Sequence, residues 1–221
     1  MIDILASHDS IVNQLLHEIR DENIQSDRLR LTTNLELIGE ICAYEISKQL
    51  NYCDTHARTK FGIADTRVLA AQPVVATVLR AGLPFYNGII RVINQADSAF
   101  IAANRLQERK AGPTKAEAFY LGSPDIAKRD LILADIMLAT GETLTRSIGL
   151  LMQIGQPKRV FVSAVIASTQ GIKKIQHDIP KARIIVGALD DYLNSEAYIV
   201  PGLGDAGDLL YGQKYKLNLQ P

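Results

Sequence analysis

The chain is 221 residues long, 47% hydrophobic and 22% charged, which is enough apolar material to bury a sizeable core. Lys plus Arg and Asp plus Glu balance at 24 each, so no overall basic field draws nucleic acid or an anionic membrane, and any anion site must be local. No apolar run approaches the roughly 20 residues needed to cross a bilayer, and the start MIDILASHDS lacks the parts of a secretory leader, so a cytoplasmic protein without membrane attachment is expected.

Residues 11–20 and 34–50 carry helical periodicity, with Ile11, Leu15, Leu16 and Ile19 on one face and Leu35, Ile38, Ile41, Cys42 and Ile46 on another. They predict an amphipathic N-terminal helical layer over about residues 1–60. Cys42 reads as core and Cys53 as a loop thiol; two cysteines are too few for a disulfide framework and have no partners at metal-site spacing. From Pro73 the pattern changes to short β-rich runs, PVVATVL, SAFIAAN, DLILAD, RVFVSAVIA and ARIIVGA, most of them separated by helical segments. This alternation predicts an α/β fold in one domain, with a core over about residues 70–190 built on a parallel sheet with right-handed crossovers. The stretch RLQERKAGPTK from Arg105 is polar, basic and broken by Gly112 and Pro113, so it reads as a mobile loop or an extended hairpin. Its Arg109, Lys110 and Lys115 read as solvated charges.

Leu131 to Thr145, LILADIMLATGETLT, is the most informative stretch. Leu131, Ile132, Leu133 and Ala134 predict a buried strand, with Asp135 where that strand surfaces. Ala139 to Thr143 then form a turn whose Gly141 lets an anion approach backbone N–H groups. From Thr143 to Ile154 the spacing predicts a helix with Leu144, Ile148, Leu151 and Met152 inward, so the turn lies at the positive end of a helix dipole. Parallel α/β chains also use such turns only for capping, and the turn alone leaves both readings open. No Gly-Lys-Ser/Thr follows and only one Gly is present, which disfavours the Walker and dinucleotide loops.

Two other segments carry chemistry. Arg80 follows VVATVL directly and is flanked by the small Ala81 and Gly82, which leave the backbone open to a ligand; the alternative is a surface ion pair. Tyr198 to Asp208, YIVPGLGDAGD, has too many glycines for a regular element, so its backbone groups are free to form hydrogen bonds in a plane. His8, His17, His56 and His177 fall outside these segments and form no triad or metal spacing, and Ser47, Ser163 and Ser168 lack a nucleophile elbow.

The acid-then-Thr-Gly pattern resembles the ribose-phosphate loop of the type I phosphoribosyltransferases. LRAGL at Leu79 to Leu83 is similar to the pyrophosphate loop, and YIVPGLGDAGD to the uracil-binding segment, of the uracil phosphoribosyltransferases; the likeness runs from about Leu29 to Tyr211. The resemblance implies the type I fold: an open, twisted, mainly parallel sheet with helices on both faces, a small base-binding hood over about residues 190–212 and a flexible loop. It implies attack of uracil on 5-phosphoribosyl 1-diphosphate (PRPP), giving UMP and diphosphate, with Mg²⁺ held mainly by PRPP and no metal ligand assigned in the chain. Arg105, Asp135 and Asp205 are the implied catalytic residues. PRPP would meet Arg80, Arg105, Asp135, Ile136, Met137, Leu138, Ala139, Thr140, Gly141, Glu142, Thr143 and Asp205, and uracil would meet Ile199, Gly204, Asp205 and Ala206. The family also suggests a non-proline cis peptide in the Arg80 loop, a homodimer that in some relatives assembles further under GTP control, and a seam along the N-terminal helices and Pro84 to Ile93.

The chain departs from the family pattern in places. DIMLATGET stands where DPMLATGGS is usual, so Glu142 puts a carboxylate beside a phosphate site and is expected to point to solvent. Leu209 stands where many members have Arg, and Pro84-Phe85-Tyr86 replaces a Gly-Met segment. Two other readings remain at this stage: a phosphoribosyltransferase for another base, and an RNA-binding regulator that senses UMP on the same fold. The YIVPGLGDAGD segment argues against the first and the neutral composition against the second.

Overall fold

The computed structural model describes residues 1–103 and 119–213. A short strand β1 (Ile2–Ile4) leads into α1 (Ile11–Arg20) and α2 (Arg28–Ser47), followed by a hairpin of β2 (Tyr52–Thr59) and β3 (Gly62–Leu69). Strands and helices then alternate: β4 (Val74–Leu79), α3 (Leu83–Val92), β5 (Asp97–Ala103), β6 (Phe119–Gly122), β7 (Asp130–Leu138), α4 (Glu142–Ile154), β8 (Arg159–Ser168), α5 (Thr169–Asp178) and β9 (Arg183–Asp190). A two-stranded ribbon of β10 (Tyr192–Leu193) and β11 (Ile199–Val200) precedes the short α6 (Ala206–Tyr211).

The main sheet has seven strands in the order β1-β9-β8-β7-β4-β5-β6, parallel throughout except for β6 against β5. Its central strands are apolar on both faces because helices cover both. In β7, Ile132, Ala134 and Ile136 share a core with α1, α2 and α3, while Leu131 and Leu133 share the opposite core with α4 and α5. This is the open, mainly parallel α/β sheet that the alternating pattern predicts.

The helices of the first layer differ in detail from the expectation. In α1 the buried face is Val12, Leu15, Leu16 and Ile19, and Ile11 is exposed. The α2 helix starts at Arg28 rather than near residue 34, because Asp27 accepts from Arg30 N and caps it, and the Thr32 and Thr33 hydroxyls bond back to the carbonyls of Arg28 and Leu29. The layer expected over about residues 1–60 is helical only in α1 and α2. Ile2–Ile4 pairs with β9 instead, and the polar run from Tyr52 forms the β2–β3 hairpin, held across strands by Asp54–Arg67 and His56–Asp65 contacts. Cys53 therefore sits on an exposed strand, not a loop. Cys42 is core as expected, and burial pushes its thiol up to about 12.

Where α2 crosses α3, backbone meets backbone. A Cβ placed on Gly88 would lie 1.9 Å from the Glu36 carbonyl oxygen, and one on Gly39 would lie 2.3 Å from the Phe85 oxygen. Close approach spends the apolar side chains of α3 inside the chain: Pro84, Phe85, Tyr86 and Ile89 are buried, and of the large apolar residues of α3 Val92 remains exposed. Gly88→Ala must push the two helices apart, so it is expected to cost roughly 1–3 kcal/mol or more of stability, measured by denaturant unfolding.

Candidate active site

Because the sheet is covered on both faces, its polar groups reach solvent at the ends of strands. Strands β4 and β7 are neighbours, yet the chain leaves β4 toward β5 and leaves β7 toward β8, in opposite directions. Their carboxyl ends thus form a topological switch point, where a crevice opens. The Arg80 loop follows β4 and the Thr140–Gly141 turn follows β7, so the two sequence-predicted phosphate elements lie side by side. A buried hydrogen bond from Thr77 Oγ1 to the Ala134 carbonyl, 2.9 Å, ties the strands just below them.

The Arg80 loop folds tightly onto its own strand. Gly82 N donates to the Val78 carbonyl, and a Cβ on Gly82 would lie 2.3 Å from Thr77 Oγ1. The Leu79–Arg80 peptide is cis, as the resemblance implies. Arg80 is exposed, and its guanidinium carbon lies 5.5 Å from the centre of the Tyr211 ring, a cation–π distance.

Asp135 does not end its strand. Ile136 and Leu138 remain buried, and pairing with β8 continues through Met137–Ile166 and Leu138–Ala167. The Asp135 side chain is half-buried within β7. Burial raises its carboxyl from an ordinary 3.8 to about 7, opposed by the Ile136 N–H that donates to Oδ1 at 2.7 Å. An acid that keeps its proton close to neutral pH beside a topological switch point marks a functional candidate.

The turn after β7 depends on its neighbours as much as on its own sequence. Gly141 has φ +81° and, as the N-cap of α4, brings no side chain to bond the N–H groups of the first turn. Glu142 N turns instead to Thr140 Oγ1 at 3.3 Å. Behind the turn, Ser168 Oγ donates to the Ala139 carbonyl at 2.6 Å and accepts from Gly171 N, capping α5. Gly171 has no room for a side chain, since a Cβ would stand 2.5 Å from the Leu138 and Ala139 oxygens. Glu142 is exposed, as expected, with Lys174 Nζ at 3.9 Å. Ser168, Gly171 and Lys174 support the turn and were not picked out as site residues; the small Gly171 three positions after a Ser at the end of a strand was the available signal.

The glycine-rich segment joins the same region. Ile199, Leu203, Ala206 and Leu210 share an apolar core with Ile136, and Met137 and Ala139 pack against it. The Val200–Pro201 peptide is cis, and Gly202 and Gly204 have φ of +58° and +90°. Asp205 caps α6, its Oδ1 accepting from Asp208 N at 3.0 Å, which engages one of its two oxygens. Arg105, together with Arg109, Lys110 and Lys115, lies outside the described residues. Two residues that sequence reasoning missed hold this segment from behind: Arg20 at the end of α1 and Asp190 at the end of β9 form an ion pair of 2.8 Å, and both bond to Gly202.

Among the described residues no helix is long and apolar enough to cross a membrane. A family model described as uracil phosphoribosyltransferase matches residues 6–213. The chain is 39% identical over 211 residues to a uracil phosphoribosyltransferase of Porphyromonas gingivalis, covering 95% of this chain and 97% of that one. It is 37% identical over 197 residues to one from Pyrobaculum islandicum, covering 88% and 92%. Among solved structures, the AQ2163 protein of Aquifex aeolicus superimposes with a TM-score of 0.82 at 29% identity, over 96% of this chain and 98% of that one. With a match that runs from residue 6 to 213 and so takes in the Arg80 loop, the Thr140–Gly141 turn and the glycine-rich segment, the chain belongs to the uracil phosphoribosyltransferase family.

Proposed function

We propose that the chain transfers the 5-phosphoribosyl group of PRPP to N1 of uracil, forming the N1–C1′ bond of UMP as the C1′–oxygen bond to diphosphate breaks. The observation that carries this reading is the meeting, at one switch point, of a helix N-terminus with glycine at its cap, an arginine loop and an irregular glycine-rich segment.

Each part has a task. The Ala139–Thr143 backbone holds the 5-phosphate, with the dipole of α4 behind it. Asp135, in the strand just before that turn, faces the ribose hydroxyls, and its carboxylate form stabilises positive charge as the ribose becomes oxocarbenium-like. Arg80 leaves the Tyr211 ring to meet the diphosphate, and Arg105 is assigned to the same leaving group by the resemblance. Backbone groups of Ile199, Gly204 and Ala206 read the alternating carbonyl and N–H edge of uracil and reject the amino group of cytosine. Asp205 acts on the PRPP side with the oxygen left over from capping α6.

Mg²⁺ fits this site as an ion carried by its substrate. As a hard cation that keeps water and phosphate oxygens as ligands, it would be held mainly by PRPP, with no ligand assigned in the chain. When bound, it neutralises charge on the departing diphosphate. The dimer belongs to the same reading, with Leu29, Leu37 and Tyr44 on α2 and Phe61 and Ile63 on the hairpin as exposed apolar surface for a second copy.

Incubated with Mg²⁺, PRPP and each free nucleobase in turn, the protein is expected to release diphosphate with uracil far faster than with cytosine, adenine, guanine or hypoxanthine; equal release with a purine overturns the reading. Asp135→Asn should lower kcat roughly 10²–10³-fold at saturating PRPP. The same substitution tests the buried proton. An unfolded chain releases it near 3.8 and the folded chain near 7, so the native protein loses stability as pH rises between the two, and no more above. Asp135→Asn should therefore unfold at higher denaturant than native above pH 7, by about 1–4 kcal/mol, and match it below pH 4. Because Glu142 points to solvent, Glu142→Gly should change the KM for PRPP by less than about threefold, consistent with the small worth of exposed charges.

A further inference from the structure

We infer that Arg20 is a positioning residue for base recognition: paired with Asp190, it clamps both backbone groups of Gly202 and so fixes the segment proposed to read uracil. The inference rests on that proposed reading of Ile199–Ala206. Neither Arg20 nor Asp190 belongs to the loops after β4 and β7.

The geometry is specific. Arg20 Nη1 and Nη2 donate to Asp190 Oδ2 and Oδ1 at 2.8 and 2.9 Å, a two-pronged match of guanidinium to carboxylate. Nη1 also donates to the Gly202 carbonyl at 3.0 Å, and Asp190 Oδ2 accepts from Gly202 N at 2.9 Å. One ion pair thus satisfies the donor and the acceptor of a single residue. Asp190 is 7% exposed and Arg20 23%, so the pair is largely shielded from water.

Gly202 is where a clamp has the most leverage. It follows Pro201, which has no N–H to offer, and it is left-handed. A Cβ there would lie 2.2 Å from the Ile199 carbonyl oxygen, so the chain folds back onto the β11 strand at this point. From Pro201 to Asp205 the chain belongs to no helix or strand that would hold its backbone in register. Both anchors, by contrast, end regular elements: Arg20 closes α1, with its carbonyl accepting from Gln25 Nε2, and Asp190 closes β9. The clamp carries the rigidity of the sheet into the loop.

Stability alone does not account for the pair. Taking two charges out of water costs about what their attraction returns, and apolar side chains of similar volume commonly do as well. What an apolar pair cannot do is hold an N–H and a C=O at set positions. Uracil would be read through backbone hydrogen bonds, and a reader displaced by a fraction of an ångström loses both affinity and selectivity. The phosphate elements are carried by β4 and β7, to which the clamp makes no hydrogen bond, and Asp205, at the far end of the clamped segment, is fixed separately by its cap on α6.

The test compares native protein with Arg20→Lys, which keeps the charge but loses the fork, and with the double variant Arg20→Met/Asp190→Asn, which leaves no charge buried alone. Melting curves establish that each is folded; kinetics give KM for uracil, KM for PRPP, kcat, and the preference for uracil over cytosine. The expected result is a KM for uracil raised roughly 10–100-fold, a KM for PRPP within about twofold, and a reduced preference for uracil, with Arg20→Lys between native and double variant. Folded variants that keep the native KM for uracil, or that raise both KM values in parallel, overturn the inference, and so does a double variant that fails to fold, since the pair is then a folding element. If native protein transfers nothing to uracil, it is the proposed function that falls.

Discussion

Burial of the central strands on both faces is the constraint from which the rest of the molecule follows. Strands β4, β7, β8 and β9 are packed between two apolar cores, so no polar side chain can do chemistry from their middles without penalty. Function is driven to the carboxyl edge, and the order of the strands decides where on that edge a crevice opens. The exception tests the rule: Asp135 stays inside β7, half-buried, and holds its proton to about 7 because it lacks water. Its position makes it sensitive to whatever positive charge arrives in front of it.

A second theme is support at a distance in sequence. The Thr140–Gly141 turn belongs to the β7–α4 connection, yet its shape is set by Ser168 and Gly171 at the start of α5. The glycine-rich tail belongs to the last elements, yet it is held by Arg20 from the first helix. In both cases the residues that would touch a ligand are mostly backbone, and the side chains that matter stand one layer back. Backbone recognition needs this arrangement, because a main-chain amide can be aimed only by moving the chain that carries it.

Much of the fold was legible in the sequence because it rests on period and run length. The five β-rich runs from Pro73 all appear as strands within a residue or two, apart from β7, and α1 and α4 start where spacing placed them, to within a residue. What was not legible has physical reasons. The β2–β3 hairpin is exposed on both faces, so no apolar alternation announces it. The extension of β7 past Asp135 was hidden by the acid itself, which reads as a strand end when burial is unknown. The early start of α2 was hidden by two threonines whose hydroxyls are satisfied by their own helix. The phosphate turn, the Arg80 loop and the glycine-rich segment were visible as motifs, whereas Arg20 and Asp190 were not, since an arginine at a helix end and an aspartate at a strand end are ordinary until the fold brings them together.

The contact between Gly171 and the carbonyls of Leu138 and Ala139 has a consequence for how this protein can change over time. A helix seated directly on peptide oxygens admits no methyl group, so the first turn of α5 and the loop it supports must drift as one body or stay put. Lineages that reshape this turn are then obliged to alter two sites some thirty positions apart in the same step, and a turn so locked would be slow to take another shape.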